Sequence, residues 1–456
     1  MPPLLTHETK SEMKLNAVKL LLLCLALTGI AGQAQAQQIL TLEQAIDLAL
    51  KNNYDIRLAH NDADVLANDY AYANFAFAPR INGAAGRTWS TTRTNQEFAN
   101  GNKRDTSGIK SNNYTANVAL NWTLFDGLKM FATRQRLEGM RDLGELTLKN
   151  RIINTVANII NSYYDIVQQK QQLRNLAEQM SISEERVKLS DAKFQTGLGP
   201  KTDLLQSQVD YNGQKTAYLR QQTAITQSKA VLNQLMAIAA GNTTYEVQDS
   251  IPINLDLNYG AMQQGVMNNN AALKIAQQQV TVSELQLKEA RGDYFPTLSF
   301  NTTYNFSRVN SNAATNSFSP IFNQNGVLNY GFSASIPIFN GLNVRRQVKN
   351  AKLNIAYQQL WLDNSRSQIS LSLDSTFKSY EYYKTAVTLE EENIGLAREN
   401  AMVALERFRQ GVSTTLEVKL AQQSLQDAFN RLILARYNTK LAETELLRLK
   451  GELLKE

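Results

Sequence analysis

Cysteine and histidine, which supply many catalytic nucleophiles, bases and transition-metal ligands, are nearly absent from this sequence. Its 456 residues include one cysteine, Cys24, and two histidines, of which only His60 follows the apolar N-terminal segment. Thiol chemistry, disulfide frameworks and Cys/His metal sites therefore lack the residues to build them. His60 stands among Asn and Asp in a helical stretch, which favours a surface histidine over a base with a positioned partner. We predict no enzymatic activity, no cofactor and no metal site.

Two acids, Asp203 and Glu417, stand at equivalent positions of a motif that occurs twice in the sequence. Each follows a glycine by six positions, in two segments (194–204 and 408–418) that lie 214 positions apart. Each segment reads as a long helix ended by glycine, a short polar turn, and a new helix with an acid in its first turn. We call these segments the first tip and the second tip, because each is predicted to end a helical hairpin. An acid in the first turn interacts favourably with the helix dipole and stabilises the helix by about 0.3 to 1 kcal/mol. The pattern therefore fits either this common stabilising role or a functional role.

Apolar side chains at seven-residue spacing lead into each tip. The series before the first tip is Ile152, Ile159, Ile166, Leu173, Met180, Val187 and Phe194. The equivalent positions before the second tip are Arg366, Leu373, Tyr380, Val387, Ile394, Ala401 and Phe408. A seven-residue repeat held over this length predicts left-handed coiled coils rather than compact globular helices.

A second pattern, of period two, follows Pro79 and Pro296, which lie 217 positions apart. Apolar and aromatic residues alternate with Asn, Ser and Thr over 114–124, 298–307 and 328–338, and more weakly over 81–90. These are predicted strands of about ten residues, and polar loops at 95–113 and 310–325 separate the strands of each pair. This length and the aromatic-rich face are typical of strands that cross a bilayer. A half-buried sheet of a soluble protein is the alternative interpretation.

The chain is predicted to be a tandem duplication with too few strands to close a barrel alone. We predict a signal peptide over 1–36, a first repeat over 37–240, a linker over 241–258 and a second repeat over 259–456. The smallest membrane barrels have about eight strands, and an open sheet edge in lipid leaves backbone groups unpaired. Three copies would supply about twelve strands around a water-filled bore, and two would supply about eight around a filled interior. We favour the trimer.

The N-terminus has the features of an export signal. Two lysines precede an apolar run over 20–32, and a small-residue cleavage site follows at 34–36. Removal of Cys24 with the signal is favoured over its lipid modification, and Met1 and Met13 are both candidate initiators. The net charge of +6 is spread without a cluster of Lys and Arg, which argues against nucleic acid as a partner.

These features together resemble the TolC-like outer-membrane channel family. The resemblance covers the chain after the signal and rests on an ordered, duplicated set of motifs. The set comprises the strand entries at Pro79 and Pro296, the junctions Phe125-Asp126-Gly127 and Phe339-Asn340-Gly341, and the two Phe-x-x-Gly turns. It implies a mixed α and β membrane protein. The expected assembly is a homotrimer with a twelve-stranded β-barrel in outer-membrane lipid, four strands per protomer, that continues into a long periplasmic α-helical coiled-coil barrel.

The same resemblance implies a passive exit duct for small molecules or proteins in a tripartite efflux pump or a type I secretion system. An inner-membrane transporter would supply the energy, and a periplasmic adaptor would dock at the tips. The docking residues would be Phe194, Gly197, Leu198, Phe408, Gly411 and Val412. Asp203 and Glu417 would line the periplasmic aperture.

The chain departs from the family pattern at two places. The first tip contains Gly199-Pro200, and Leu420 stands where some relatives place a second acid, so a single acidic ring would select cations less strongly. Two other function classes remain for comparison. One is a non-transporting coiled-coil structural or adhesive envelope protein, and the other is an outer-membrane enzyme, for which the residue types are poor.

Overall fold

The computed structural model describes residues 39–239, 241, 244–314 and 318–453. The predicted signal peptide, with Cys24, Met1 and Met13, lies outside the described residues. None of the helices in the described ranges combines the length and the apolarity that crossing a membrane requires.

Two helices, two long strands and two very long helices follow one another, and this order occurs twice. The strands are β1 (Ile39–Leu40), β2 (Arg80–Glu97), β3 (Lys103–Phe125), β4 (Glu246–Val247), β5 (Thr297–Ser311) and β6 (Phe322–Ser335). The helices are α1 (Leu42–Asn52), α2 (Tyr54–Ala71), α3 (Lys129–Gln195), α4 (Lys201–Leu235), α5 (Tyr259–Asn269), α6 (Ala271–Gly292), α7 (Asn343–Arg409) and α8 (Thr415–Lys450). Helices α3 and α7 have 67 residues each, which corresponds to about 100 Å at about 1.5 Å per residue.

The chain divides into two compact units, and each takes segments from both halves of the sequence. One, which we call the hairpin unit, comprises Ile159–Pro252, Leu389–Tyr437 and the described part of Met1–Lys51. The other, which we call the sheet unit, comprises Asn52–Asn158, Ile253–Thr388 and the described part of Asn438–Glu456. The long helices contribute residues to both units.

The sheet unit contains one antiparallel sheet of four strands in the order β2-β3-β5-β6. Its register pairs Val118 with Tyr304 and Tyr304 with Leu328. Because paired residues share a face and faces alternate along a strand, the sheet has one aromatic face and one polar face. The aromatic face carries Trp89, Tyr114, Val118, Trp122, Phe300, Tyr304, Leu328 and Phe332. The predicted period-two alternation is confirmed.

Side-chain amides form a hydrogen-bonded ladder on the polar face. Asn121 donates to Asn301 over 2.5 Å, and Asn301 donates to Ser333 over 2.8 Å. These bonds join three neighbouring strands, β3, β5 and β6, and so help to fix the register between them.

Strands β2 and β3 are longer than predicted, and the predicted loop over 95–113 is wrong. They have 18 and 23 residues, and only residues 98–102 connect them. Salt bridges join Arg93 to Asp105 at 3.0 Å and Lys103 to Glu97 at 3.4 Å near that connection. Polar residues occupy both faces there, so no hydrophobic alternation marks the strands in the sequence although backbone pairing continues.

Burial along the long helices confirms the seven-residue repeat before the second tip. The buried members of that series are Leu373, Tyr380, Val387, Ala401 and Phe408. Leu373 and Tyr380 pack in the core of the sheet unit with Met262 and Val266 of α5 and Leu446 of α8. In the first series only Ile159 and Ile166 are buried, so the apolar repeat alone does not describe α3 near its tip.

Part of the predicted linker belongs to the hairpin unit. Strand β4 pairs in parallel with β1. Lys170 of α3 contacts Glu246 at 2.9 Å and Asp249 at 2.8 Å, and Lys229 of α4 contacts Glu246 at 3.1 Å. These ion pairs attach the segment to both helices of the first hairpin.

Each long helix begins after a turn that requires positive φ at two successive residues. Gly127 and Leu128 have φ of 73° and 66°, and the equivalent Gly341 and Leu342 have 65° and 62°. The surroundings of the two glycines differ. A Cβ at Gly127 would lie 2.3 Å from the carbonyl oxygen of Gly292, whereas a Cβ at Gly341 would meet no atom within 4 Å. Equivalent motifs in the two halves are therefore under different steric constraints.

We predict that Gly127→Ala destabilises the protein more than Gly341→Ala. Both variants place a Cβ at positive φ, which costs about 1–2 kcal/mol, but only the first adds a backbone clash of about 1–3 kcal/mol. Thermal unfolding of the two variants side by side measures the difference. Equal losses would contradict the close approach of Gly127 to Gly292.

Candidate functional site at the helical tips

Both tips close with the same backbone geometry. Gly197 and Gly411 have φ of 75° and 76°. The amide of Leu198 donates to the carbonyl of Lys193 over 2.8 Å, and the amide of Val412 donates to the carbonyl of Arg407 over 2.9 Å. These bonds satisfy carbonyl groups that a helix end leaves free, and the left-handed residue that they need is glycine. The predicted helix ends at the tips are confirmed.

The tips present apolar side chains to solvent. Leu198 is 82% exposed and Val412 is 67% exposed, and each directly follows the turn glycine. Phe194, one helical turn earlier in the first tip, is 40% exposed. Large exposed apolar side chains at the ends of hairpins are candidates for contact with a partner.

Phe408 occupies a different environment from Phe194, although the two are equivalent in sequence. Phe408 is only 3% exposed. The ammonium group of Lys193 lies 3.6 Å from the centroid of its ring and donates to its carbonyl oxygen over 2.8 Å. Phe408 therefore packs beneath the surface of the tips, and the structure brings together only the other five predicted docking residues at exposed positions.

The two predicted aperture acids also differ in their contacts. Asp203 accepts a hydrogen bond from the hydroxyl of Thr415 over 3.2 Å, which joins α4 to α8. Glu417 accepts from Arg407, near the end of α7, over 3.0 Å and from Ser413 of the second tip over 2.8 Å. Asp203 thus links the two hairpins of the chain, whereas Glu417 stabilises the turn that it follows.

A row of buried polar side chains behind the tips was not predicted from the sequence. It consists of Asn175, Gln179, Ser183, Arg186 and Ser190 on α3, all of them buried. Their spacing of three or four residues places them on one helix face. The apolar seven-residue series does not include these positions, and the three-to-four-residue spacing of the polar side chains is the signal in the sequence that marks this face. We call it the polar seam.

Arg186 is the centre of the polar seam and one of the most buried side chains among the described residues, at 1% exposure. Its guanidinium donates to Asp210 of α4 over 2.6 Å and to Gln422 of α8 over 3.3 Å. Lys419 of α8 also donates to Asp210, over 2.9 Å. One carboxylate therefore serves two cations from two helices, in a cleft of about 410 Å³ that Gln214 also lines.

Burial and charge act in opposite directions on this cluster. Burial lowers the pKa of Arg186, and its interactions with Asp210 offset this effect only in part. Burial also opposes ionisation of Asp210. Hydrogen bonds from Lys419 and Gln206 and the charge of Arg186 outweigh that effect and hold the pKa of Asp210 below its usual value.

The lowered pKa of Asp210 has a defined consequence for stability. A carboxylate whose pKa is depressed by folding stabilises the fold at every pH above its unfolded pKa of about 4. That contribution is lost as the pH falls through the lower, folded pKa. The polar seam should therefore weaken in acid.

Among the described residues, no group of three or more His, Cys, Asp or Glu side chains is placed to hold a metal ion.

We predict that Asp210→Asn destabilises the protein by about 1–3 kcal/mol at neutral pH, because it leaves the buried Arg186 without an anion. Its stability should also depend less on pH below about 4 than that of the wild type. Denaturant unfolding at pH 7 and pH 3, followed by circular dichroism, measures both effects.

Asp47→Asn is the matched control. It breaks an ion pair with Lys51 whose side chains are 68% and 60% exposed, so it should cost less than about 0.5 kcal/mol. A loss in Asp210→Asn as small as in this control would show that the cluster contributes little to stability.

Two curated proteins match this chain over most of their length. Outer membrane protein TolC of Escherichia coli (strain K12) is 23% identical over 434 residues, which cover 92% of this chain and 83% of the relative. The proteases secretion protein PrtF of Dickeya chrysanthemi is 20% identical over 431 residues, which cover 92% of this chain and 89% of the relative.

A solved structure and a family profile agree with these matches. The outer membrane protein VceC from Vibrio cholerae has a TM-score of 0.73 at 16% identity, over 90% of this chain and 96% of that chain, so the two share a fold. The profile described as "Outer membrane efflux protein" matches residues 45–237 and 264–452, which include both tips and all of the four-stranded sheet. The chain therefore belongs to the outer membrane efflux protein family.

Proposed function

We propose that this chain is the outer-membrane exit duct of a tripartite efflux pump or of a type I secretion system. Its family supports an outer-membrane location with a periplasmic helical part. The names of its relatives include both an outer membrane efflux protein, BepC of Brucella suis, and a proteases secretion protein. Small molecules and proteins are therefore both candidate substrates.

The observation that carries the proposal is the four-stranded sheet with one aromatic face, one polar face and two open edges. Strands β2 and β6 pair on one side only among the described residues. In lipid, each unpaired backbone group costs several kcal/mol, about 4–8 on a hydrocarbon scale, so the edges must pair with those of other copies. Three protomers would give about twelve strands, with the aromatic faces against lipid and the polar faces around a hydrated bore.

The tips support a role in docking a periplasmic adaptor. Leu198 and Val412 offer exposed apolar groups, Phe194 adds a half-exposed ring, and Gly197 and Gly411 set the turns that present them. Phe408 would act from beneath by supporting the tip with Lys193. In this proposal Asp203 and Glu417 lie at the periplasmic aperture, where Asp203 also holds the two hairpins together.

The duct would be passive, with an inner-membrane transporter as the source of energy. The polar face of the sheet carries Asn, Ser and Thr side chains such as Asn121, Asn301 and Ser333. Uncharged amides and hydroxyls can hydrogen-bond to many solutes without selecting one strongly. Selection of the substrate would therefore fall to the transporter.

We predict that the purified mature protein is a trimer in detergent and gives stepwise conductance in planar bilayers. The trimer follows from the strand count, and the conductance follows from a water-filled bore. Light scattering with detergent correction measures the mass, and single-channel recording measures the conductance. A folded trimer with no conductance would favour the structural or adhesive alternative, and a stable water-soluble monomer would exclude the duct.

We predict that the double variant Leu198→Asp/Val412→Asp loses export while the trimer persists. Charged groups at an apolar contact should weaken adaptor binding by about tenfold or more. Accumulation of a fluorescent pump substrate in cells that depend on this channel measures export, and migration in unheated detergent gels reports the trimer.

Leu198→Met is the control for this experiment, because it keeps an apolar side chain of similar volume. It should export like the wild type. Normal export by the double aspartate variant would contradict the docking role of the tips.

Cysteines for crosslinking are better placed at Leu198 and Val412 than at the turn glycines, because both glycines have positive φ.

A further inference from the structure

One row of residues across the aromatic face carries two arginines. The register aligns Arg87 on β2, Tyr114 on β3 and Arg308 on β5. Neighbouring strands lie about 4.8 Å apart, so the backbones of the two arginines are separated by about 10 Å, with the tyrosine between them. Lys110, further along β3 on the same face and paired with Thr91, adds a third cation.

Both guanidinium groups make cation–π contacts with aromatic rings. The guanidinium carbon of Arg87 lies 4.5 Å from the centroid of Trp89 and 4.7 Å from that of Tyr114. The guanidinium carbon of Arg308 lies 5.2 Å from the centroid of Phe322. Stacking on a ring fixes the plane of a guanidinium but leaves its N–H groups available to an acceptor.

Acids that could neutralise these cations are scarce in the sheet. Residues 80–125 and 297–335 contain seven Lys or Arg side chains but only two acids, Glu97 and Asp105. Both acids form salt bridges with other cations, Lys103 and Arg93. No salt bridge joins Arg87, Lys110 or Arg308 to an acid in the part of the chain that the structure describes, and all three side chains are exposed.

The row lies near the loop end of β5 and about midway along the longer strands β2 and β3, at a distance from the start of α3. Eight positions along β3 separate Trp122, at the helix end, from Tyr114. At about 3.4 Å per residue and a tilt of about 40°, this corresponds to about 20 Å along the membrane normal. The apolar band of such barrels is about 25 Å tall. With Trp122 at the inner margin of that band, the arginine row falls close to its outer margin, next to the lipid headgroups.

We propose that Arg87 and Arg308, with Lys110, form a binding site for the phosphate groups of a phosphorylated glycolipid in the outer leaflet. Arginine binds phosphate through two parallel N–H donors, and clusters of cations at a membrane surface bind anionic headgroups. Two cations about 10 Å apart suit a headgroup that carries two phosphates. This inference rests on the proposal above that the aromatic face meets lipid.

The test uses the full-length mature protein and diphosphoryl lipid A as the probe. The assembled wild-type protein is incubated with the lipid in mixed micelles, separated from free lipid, and analysed for retained lipid by native mass spectrometry. We expect the variant Arg87→Gln/Arg308→Gln to retain the lipid at least tenfold more weakly than the wild type. Equal retention would overturn the site.

Arg80→Gln is the matched control, because Arg80 lies on β2 but on the polar face and at the helix end of the sheet. It should retain the lipid like the wild type. A loss of retention as large as that of the double variant would show that retention depends only on the net charge of the protein, and would overturn the site. Phosphatidylglycerol, offered to the wild type in the same way, should be retained more weakly. Equal retention of that lipid would overturn the assignment to a glycolipid.

A separate measurement distinguishes failure of this site from failure of the proposed barrel. In a Trp361→Phe background, Trp89 and Trp122 are the remaining tryptophans, and both lie on the aromatic face. Brominated lipids should quench their fluorescence if that face meets lipid. Quenching together with equal lipid A retention would overturn the binding site alone, whereas absence of quenching would overturn the barrel as well.

Discussion

The pairing of backbone groups at the open edges of the sheet is the constraint on which the rest of the proposed structure depends. Four strands leave one side of β2 and one side of β6 unpaired within the described chain. In the proposed assembly the missing partners come from other copies, because four strands cannot close a barrel in lipid. Once the copies close, one face of every strand must meet lipid and the other must meet water. The separation of the aromatic and polar faces in a single protomer is what this requirement predicts.

The two halves of the chain share local patterns but meet different surroundings. β3 and β5 pair with each other in the centre of the sheet, while β2 and β6 form its edges. The same difference recurs at the junctions, where a Cβ at Gly127 would clash with the backbone of Gly292 and one at Gly341 would meet no atom within 4 Å. It recurs at the tips, where Phe408 is buried and Phe194 is half-exposed. Duplicated motifs therefore specify equal backbone geometry without specifying equal contacts.

The hairpin unit combines two kinds of packing. Helices α7 and α8 meet through small side chains, including Ala401, Ala404, Ala421 and Ala428. Such residues let helix backbones approach closely. Helix α3 instead meets α4 and α8 through the polar seam, centred on Arg186. The side chains of the seam are buried, so each polar group there needs a matched partner, and one left unpaired costs about 1–3 kcal/mol. The polar seam therefore restricts which helix faces can meet more strictly than the small apolar side chains do.

Much of the fold follows from the sequence because local periodicity reports secondary structure directly. The period of seven predicted the long helices, the period of two predicted the aromatic and polar faces, and the glycines predicted the tips, since positive φ is required there. Residues 91–97 of β2 and 103–113 of β3 were not predicted as strands. Polar residues occupy both faces there, so the sequence shows no apolar–polar alternation, and only the pairing between the strands defines them.

Contacts between residues far apart in the chain were decided by the tertiary structure alone. Nothing local marks Phe408 as buried and Phe194 as exposed, because both stand three residues before a turn glycine. The burial of Phe408 under Lys193 and the bond of Asp203 to Thr415 depend on which helices meet. Arg186 and Asp210 likewise form an ion pair only when α3 packs against α4. A sequence pattern determines which face a residue occupies, and only the packed chain determines what that face touches.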